Sequence, residues 1–313
     1  MLDYIRLIRV GNLLLIATTQ YLMRYALIEP ILRSDGLQPI LTDVQFFFLV
    51  GTTLLVVGGG YIINDYFDSR IDAVNKSKKL LVGFSIKRRY ALLWSGLFSV
   101  VGIGISVYLS RLSGIKLLFF VQLIGVFVLL KYSEVFKRKF LTGNILIALL
   151  MGLAVLMPAL YETVALSVLY RQSPNLAKAL FYTILVYTLF GVLVVFVREV
   201  LKDMQDIDGD IDVRAKTVPI VWGINRTKWL LIGILVFIFG SIGYFIYIKL
   251  IKKEYIIFFY TAFGVLVPCL LTMFQVAVAS TKTQFQASRQ SLKILTLGGI
   301  FSLMVFYWIY KFQ

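Results

Sequence analysis

Histidine is absent from this 313-residue chain, and cysteine occurs only once, at Cys269. Without histidine the chain has no imidazole to ligate a metal or a haem and no histidine to act as a catalytic base. A single cysteine excludes an intrachain disulfide, and its apolar neighbours predict a buried, unreactive thiol. Charged residues are also few, at 15% of the chain, whereas soluble domains contain roughly a quarter.

Long apolar runs make up most of the chain. The chain is 59% hydrophobic, with a mean hydropathy of +0.86. A membrane-spanning helix needs ~20 mostly apolar residues, and nine stretches qualify: 11–30, 44–63, 90–110, 115–131, 144–165, 180–197, 229–249, 255–279 and 293–311. The first residues lack a cleavage site, so we expect the first stretch to stay in the bilayer. We therefore predict an all-α polytopic membrane protein, a bundle of about nine transmembrane helices in a single domain over residues 1–313.

The distribution of positive charge predicts the orientation in the membrane. Twenty-two of the 32 Lys and Arg residues fall on the side that carries the N-terminus and the second, fourth, sixth and eighth loops. Because cytoplasmic loops carry an excess of Lys and Arg, we expect a cytoplasmic N-terminus. The net charge of +16 then reflects basic loops near anionic lipid, and a nucleic-acid partner is not expected.

Two acidic segments stand out against this background. Residues 64–72 and 199–212 contain nine of the sixteen acidic residues, and each segment directly follows an apolar stretch. Both lie on the predicted cytoplasmic side. Carboxylates at a membrane edge are costly and tend to be functional. The alternative interpretation, two solvated acidic helix ends, explains less well why both occur on one side of the membrane.

The first acidic segment has helical spacing. If the second span continues through it, Asn64, Asp68 and Asp72 lie at i, i+4 and i+8, with Asp65 on the same broad face. Like charges at these spacings repel one another, so a cation must offset them. Oxygen ligands of this kind suit Mg²⁺.

The second acidic segment repeats the pattern. Glu199, Asp203, Asp206 and Asp210 share one face if the helix persists, although Gly209 is placed to end it early. Mg²⁺ typically combines a few carboxylates with phosphate oxygens of its substrate. Two such segments therefore predict a diphosphate held by Mg²⁺ ions. Nearby basic residues are candidate phosphate contacts or, alternatively, ordinary loop charges: Arg70, Lys137, Lys202 and Lys216.

At these residues the chain resembles the UbiA superfamily of intramembrane prenyltransferases. Asn64-Asp65-x-x-Asp68-x-x-x-Asp72 is similar to the first metal motif of that family, and Asp206-x-x-x-Asp210 is similar to the second. The stretch Arg9-x-x-Asn12 near the start also resembles the family. The resemblance implies that an isoprenoid chain moves from an allylic diphosphate to an acceptor within the membrane, with Mg²⁺ holding the diphosphate.

The resemblance also implies roles for individual residues. Asn64 and Asp68 would bind one Mg²⁺ and Asp206 and Asp210 the other, with Asp68 and Asp206 indispensable for turnover. Further ligands through water, or residues that orient their neighbours, would be Asp65, Asp72 and Asp203. The substrate pocket would include Asn12, Tyr61 and Tyr132, and aromatic faces there would stabilise an allylic cation.

The acceptor is the least determined part of the prediction. Asp72-Ala73-Val74-Asn75-Lys76 is most similar to family members that prenylate geranylgeranylglyceryl phosphate, a lipid acceptor. An aromatic quinone precursor is the alternative acceptor, and no protein partner is implied. A divalent-cation transporter and an inactive, lipid-binding family member are rival interpretations. A prokaryotic plasma membrane is the expected location.

Overall fold

A computed structural model describes the backbone of residues 2–75 and 81–312 and the side chains of residues 3–69 and 81–308. Within these ranges the chain is helical and has no β-strand beyond an isolated bridge, Val82 to Ile86. The α-helices, in chain order, are α1 Leu2–Leu7, α2 Val10–Leu22, α3 Glu29–Ser34, α4 Asp43–Asn75, α5 Arg88–Leu112, α6 Phe119–Glu134, α7 Thr142–Tyr161, α8 Thr163–Gln172, α9 Pro174–Gln205, α10 Ile207–Asp212, α11 Val218–Ile251, α12 Tyr255–Thr261, α13 Val267–Val278 and α14 Lys282–Phe312.

The all-α membrane architecture predicted from the sequence is confirmed. Eight helical segments of the described ranges are long and apolar enough to cross a membrane. The first predicted stretch, 11–30, is also helical throughout, because a π-helical turn, Met23–Ile28, joins α2 to α3. The protein is therefore an integral membrane protein.

Close helix packing places the first acidic segment. A Cβ added at Gly59 would lie 3.2 Å from the backbone oxygen of Ser95 on α5, and one added at Gly60 would lie 2.8 Å from a methyl of Leu129 on α6. These glycines allow α5 and α6 to approach α4, as small residues do in membrane bundles. The acidic segment begins one turn further along α4.

The chain divides into two compact units, and the single-domain assignment stays a prediction. The first unit comprises Met1–Lys137 and Leu153–Leu185. Its apolar core includes Phe46, Leu49 and Tyr161. Buried side-chain amides donate to hydroxyls inside this unit: Gln122 Nε2 donates to Thr52 Oγ1 at 3.0 Å. Such polar pairs are typical of helix contacts in lipid, where no water replaces them.

A buried ionic cluster holds the 35–43 connection of the first unit in place. Arg24 is 2% exposed and lies 3.2 Å from Glu29 Oε2 and 3.7 Å from Glu162 Oε1. Glu162, between α7 and α8, also accepts the backbone N–H groups of Ile40 at 2.6 Å and Leu41 at 3.2 Å. Burial raises the pKa of Glu162, an effect that these donors and Arg24 oppose.

The second unit comprises Arg138–Gly152 and Val186–Gln313. Its core is formed by apolar side chains of α9, α11, α13 and α14, among them Val197, Leu231, Cys269 and Leu292. Cys269 is fully buried, as its apolar neighbours predict. Gly223, with φ +78° and ψ 161°, interrupts α11 one turn after its start.

Candidate functional site

The first predicted ligand pair lies on adjacent turns of α4, which continues through the acidic segment as expected. Asn64 Nδ2 donates to Asp68 Oδ2 at 2.9 Å, and both residues are buried, at 7% and 8% exposure. The amide oxygen, Asn64 Oδ1, is buried and has no hydrogen-bond partner in the part of the chain that the structure describes. A buried acceptor without a donor is costly, and a cation beside Asp68 would satisfy it.

Lys137 contacts the same carboxylate. Its ammonium forms an ion pair with Asp68 Oδ2 from the 3₁₀ turn Phe136–Arg138 that follows α6. The sequence predicts Lys137 as a phosphate contact, and the structure brings it to the first motif, where it offsets the charge of Asp68. The ammonium of Lys137 therefore shows that a positive charge fits beside this carboxylate.

Arg9 joins three further predicted residues. It has a left-handed backbone conformation, with φ +54°, where α1 meets α2. Its guanidinium lies 2.7 Å from Asp65 Oδ1 and 4.8 Å from the ring centre of Tyr61. Asn12 Nδ2 donates to the Tyr61 hydroxyl at 3.4 Å. Arg9 therefore contacts Asp65 and Tyr61, and Asn12 contacts Tyr61. The sequence predicts no role for Arg9, although the stretch Arg9-x-x-Asn12 resembles the family.

The three other predicted residues near the first motif are Arg70, Asp72 and Tyr132. The side chains of Arg70 and Asp72 lie outside the described residues, as does most of the loop that follows them. Tyr132 lies partly buried on α6, five residues before Lys137.

The second acidic segment is not one continuous helix. α9 ends at Gln205, Asp206 has φ −99° and ψ 13°, and α10 begins at Ile207. The non-helical backbone at Asp206 ends the periodicity that would place Asp203 and Asp210 on one face. Gly209, which we expected to end the helix, lies inside α10 instead.

Asn144 binds Asp203 from α7. Its Nδ2 donates to Asp203 Oδ2 at 2.8 Å, and Asn144 is itself buried. This contact fixes the rotamer of a carboxylate one turn before Asp206. The sequence contained a signal for it, a polar residue at the start of an apolar span, but no contact between α7 and α9 follows from the sequence.

Three basic residues of the second unit lie in, follow or contact this segment: Lys202, Lys216 and Lys282. The backbone N–H of Lys216 donates to the Arg138 carbonyl at 2.8 Å, while its side chain is exposed. Lys202 follows Glu199 on α9 and is partly exposed. Lys282 forms an ion pair with Asp208 at 2.6 Å. The exposed side chain of Lys216 is therefore accessible to a ligand.

The donor set fits Mg²⁺ in kind. No three acidic, cysteine or histidine side chains converge on one point among the residues that the structure describes. Mg²⁺ nevertheless uses few protein ligands and completes its octahedron with water and substrate phosphates. The unpartnered Asn64 Oδ1 and the neighbouring carboxylate of Asp68 supply oxygens of the type that Mg²⁺ binds. That both motifs bind the same diphosphate stays a prediction.

Comparison with known families assigns the chain. The sequence model of the UbiA prenyltransferase family matches residues 31–297. The chain belongs to the UbiA prenyltransferase family. It is therefore an enzyme that transfers prenyl groups, and the resemblance seen in its two motifs is confirmed.

Curated relatives carry a more specific name. The digeranylgeranylglyceryl phosphate synthase of Methanothrix thermoacetophila is 32% identical over 210 residues, which is 67% of this chain and 69% of that protein. The enzyme of the same name from Saccharolobus solfataricus is 26% identical over 253 residues, 80% of each chain.

Solved structures share the fold of this UbiA member. One, from work on digeranylgeranylglyceryl phosphate synthase in membranes, has a TM-score of 0.62 at 20% identity and covers 96% of this chain and 97% of that one. A UbiA homologue from Archaeoglobus fulgidus, bound to DMAPP and Mg²⁺, has a TM-score of 0.56 at 13% identity and covers 97% and 99%. At these identities the likeness concerns the fold.

Proposed function

We propose that this UbiA family member transfers a prenyl chain from a prenyl diphosphate to a glycerol-phosphate lipid, with geranylgeranylglyceryl phosphate as the acceptor. In this reaction the bond between the allylic carbon and the diphosphate oxygen breaks. An ether bond to the acceptor hydroxyl forms, and the hydroxyl proton is released. The names of the curated relatives and the similarity of the residues after Asp72 both support the acceptor class.

The observation that carries the proposal is the buried Asn64–Asp68 pair with its unpartnered amide oxygen. In the proposal, these two residues hold one Mg²⁺, and Asp206 and Asp210 hold a second. Bound there, Mg²⁺ would supply the positive charge that stabilises the departing diphosphate. The remaining carboxylates, which act through water or orient neighbours, are Asp65, Asp72 and Asp203.

Other side chains of this protein position the substrate. Lys137 adds a cation beside Asp68, where it stabilises phosphate oxygens. Arg9 anchors Asp65 and fixes the ring of Tyr61. Aromatic faces such as those of Tyr61 and Tyr132 stabilise an allylic cation by up to ~2 kcal/mol each when water is excluded. Further phosphate contacts in the proposal are Arg70, Lys202 and Lys216.

The location in the cell is part of the proposal. The excess of Lys and Arg in one set of loops supports a cytoplasmic N-terminus and a metal site near the cytoplasmic face. A prokaryotic plasma membrane is consistent with the organisms of the curated relatives.

An acceptor panel tests the proposal. Purified full-length protein is incubated with Mg²⁺, radiolabelled geranylgeranyl diphosphate and, in parallel, geranylgeranylglyceryl phosphate and a set of phenolic acids. We expect labelled ether lipid with the glycerol phosphate and no product with the phenols. Transfer to a phenol alone would refute the acceptor, and no transfer to either class would refute the donor or the activity.

Isosteric variants test the ligands. Asp68→Asn and Asp206→Asn should each reduce turnover by at least ~100-fold, because each removes a charged metal ligand without a change in volume. Asp212→Asn is the matched control, since Asp212 is an exposed carboxylate of the same acidic segment. Turnover close to that of the control in either variant would contradict the assignment of that residue.

A further inference from the structure

A cavity of about 670 Å³ lies in the second unit, and none of the residues assigned above to the reaction lines it. Its walls come from the start of α11 and from the connection of α13 to α14. The residues that line it include Trp222, Asn225, Arg226, Lys228 and Ser280. The cavity lies at the end of the unit that carries the second acidic segment, because Lys282, two residues after Ser280, pairs with Asp208.

Gly223 creates the space. Its backbone, at φ +78° and ψ 161°, is in a region that other residues rarely adopt, and it breaks α11 one turn after the helix begins. The break sets Trp222 apart from the helical residues that follow it. Asn225, Arg226 and Lys228 therefore line a recess rather than the flank of a continuous helix.

The charge of the cavity is positive and uncompensated. Its lining contains two cations, Arg226 and Lys228, and no carboxylate. Neither cation forms a hydrogen bond or an ion pair with any residue that the structure describes. Two other basic residues at this end are paired, Lys282 with Asp208 and Arg289 with Gln205 at 2.6 Å. A recess with two available cations and the polar side chains of Asn225 and Ser280 suits a phosphate group.

The surroundings indicate that the phosphate belongs to a lipid. Trp222 is 39% exposed, Trp229 is 73% exposed, and Ile224 is exposed between them. Exposed tryptophans next to basic residues at the end of a span mark the level of the lipid headgroups. Basic residues at that level attract anionic lipid.

We propose that this cavity binds the phosphate headgroup of an anionic membrane lipid, with Arg226 and Lys228 at the phosphate and Trp222 beside the glycerol. The site does not depend on the proposed transferase reaction. A variant that has lost turnover, such as Asp68→Asn, should still bind the lipid.

Lipid titration of the full-length protein in an uncharged detergent tests this site. Dioctanoyl phosphatidic acid, dioctanoyl phosphatidylcholine and inorganic phosphate are added separately. Binding is followed by intrinsic tryptophan fluorescence and by thermal unfolding. We expect saturable binding of phosphatidic acid, and at least tenfold weaker binding of the other two compounds. Equal affinity for phosphatidylcholine would overturn an anion site, and equal affinity for inorganic phosphate would overturn a lipid site.

Paired charge variants locate the binding. The double variant Arg226→Gln/Lys228→Gln should weaken the binding of phosphatidic acid roughly 30-fold, which is about 2 kcal/mol. Lys87→Gln with Arg89→Gln removes two exposed cations elsewhere and should leave the affinity unchanged. An unchanged affinity in the first pair would overturn the proposal.

Trp222→Phe provides a test that keeps both charges. This variant should retain stabilisation by phosphatidic acid in thermal unfolding but lose most of the fluorescence response. A full fluorescence response from the three remaining tryptophans would place the lipid elsewhere and overturn the assignment.

Discussion

Asn144→Ala is the sharpest test of how the second motif is built. Asn144 lies buried at the start of α7, and its only described side-chain hydrogen bond is the one donated to Asp203 at 2.8 Å. The variant removes this donor and changes no charge. Asp203 is then left without this donor near the C-terminal end of α9, where the helix dipole opposes a carboxylate.

The structure sets the expected size of the effect. A hydrogen bond to a charged group contributes about 1.5–3 kcal/mol. A side chain that orients a metal site from outside the ligand shell typically changes metal affinity by about 10- to 100-fold. We therefore expect the Mg²⁺ concentration for half-maximal prenyl transfer to rise about 10- to 100-fold, with turnover largely recovered at saturating Mg²⁺.

A double-mutant cycle completes the assay. Mg²⁺ titrations are compared for wild type, Asn144→Ala, Asp203→Asn and the double variant. The double variant should be no worse than Asp203→Asn alone, because Asn144 acts through Asp203. Asn175→Ala, an exposed asparagine at the start of α9, is the control. A wild-type Mg²⁺ dependence in Asn144→Ala, or independent effects of the two substitutions, would refute the reasoning.

Three further predictions concern the metal, the first motif and the ionic cluster. EDTA should abolish prenyl transfer and Mg²⁺ should restore it, and activity that survives exhaustive chelation would contradict a metal requirement. Lys137→Met should lower kcat at least ~10-fold while Lys137→Arg retains more activity, since the ammonium lies against Asp68; equal kcat values for Met and Arg would remove Lys137 from the site. Glu162→Ala should destabilise the protein by about 3–5 kcal/mol in thermal unfolding, because it leaves Arg24 and two backbone N–H groups without this partner. Glu134→Ala, which removes an exposed ion pair with Lys131, should cost at most about 1 kcal/mol, and similar losses in the two variants would show that the buried cluster contributes little.

The sequence determined the class of protein and the chemistry of its motifs. Apolar runs of about twenty residues permit only membrane-spanning helices here, because backbone groups in lipid must bond within their own segment. The spacing of Asn64 and Asp68 determined their pairing, since residues four apart on a helix are neighbours. For these features the local pattern and the structure follow the same periodicity.

Only the tertiary structure decided which residues meet across helices. That Asn144 holds Asp203, that Lys137 and Asn64 share Asp68, and that Arg9 joins Asp65 to Tyr61 all depend on how separate helices pack. The break at Asp206 and the cavity beside Gly223 depend on single backbone conformations. Periodicity describes one helix at a time, so it contains no information about contacts with the next helix or about where a backbone leaves helical geometry.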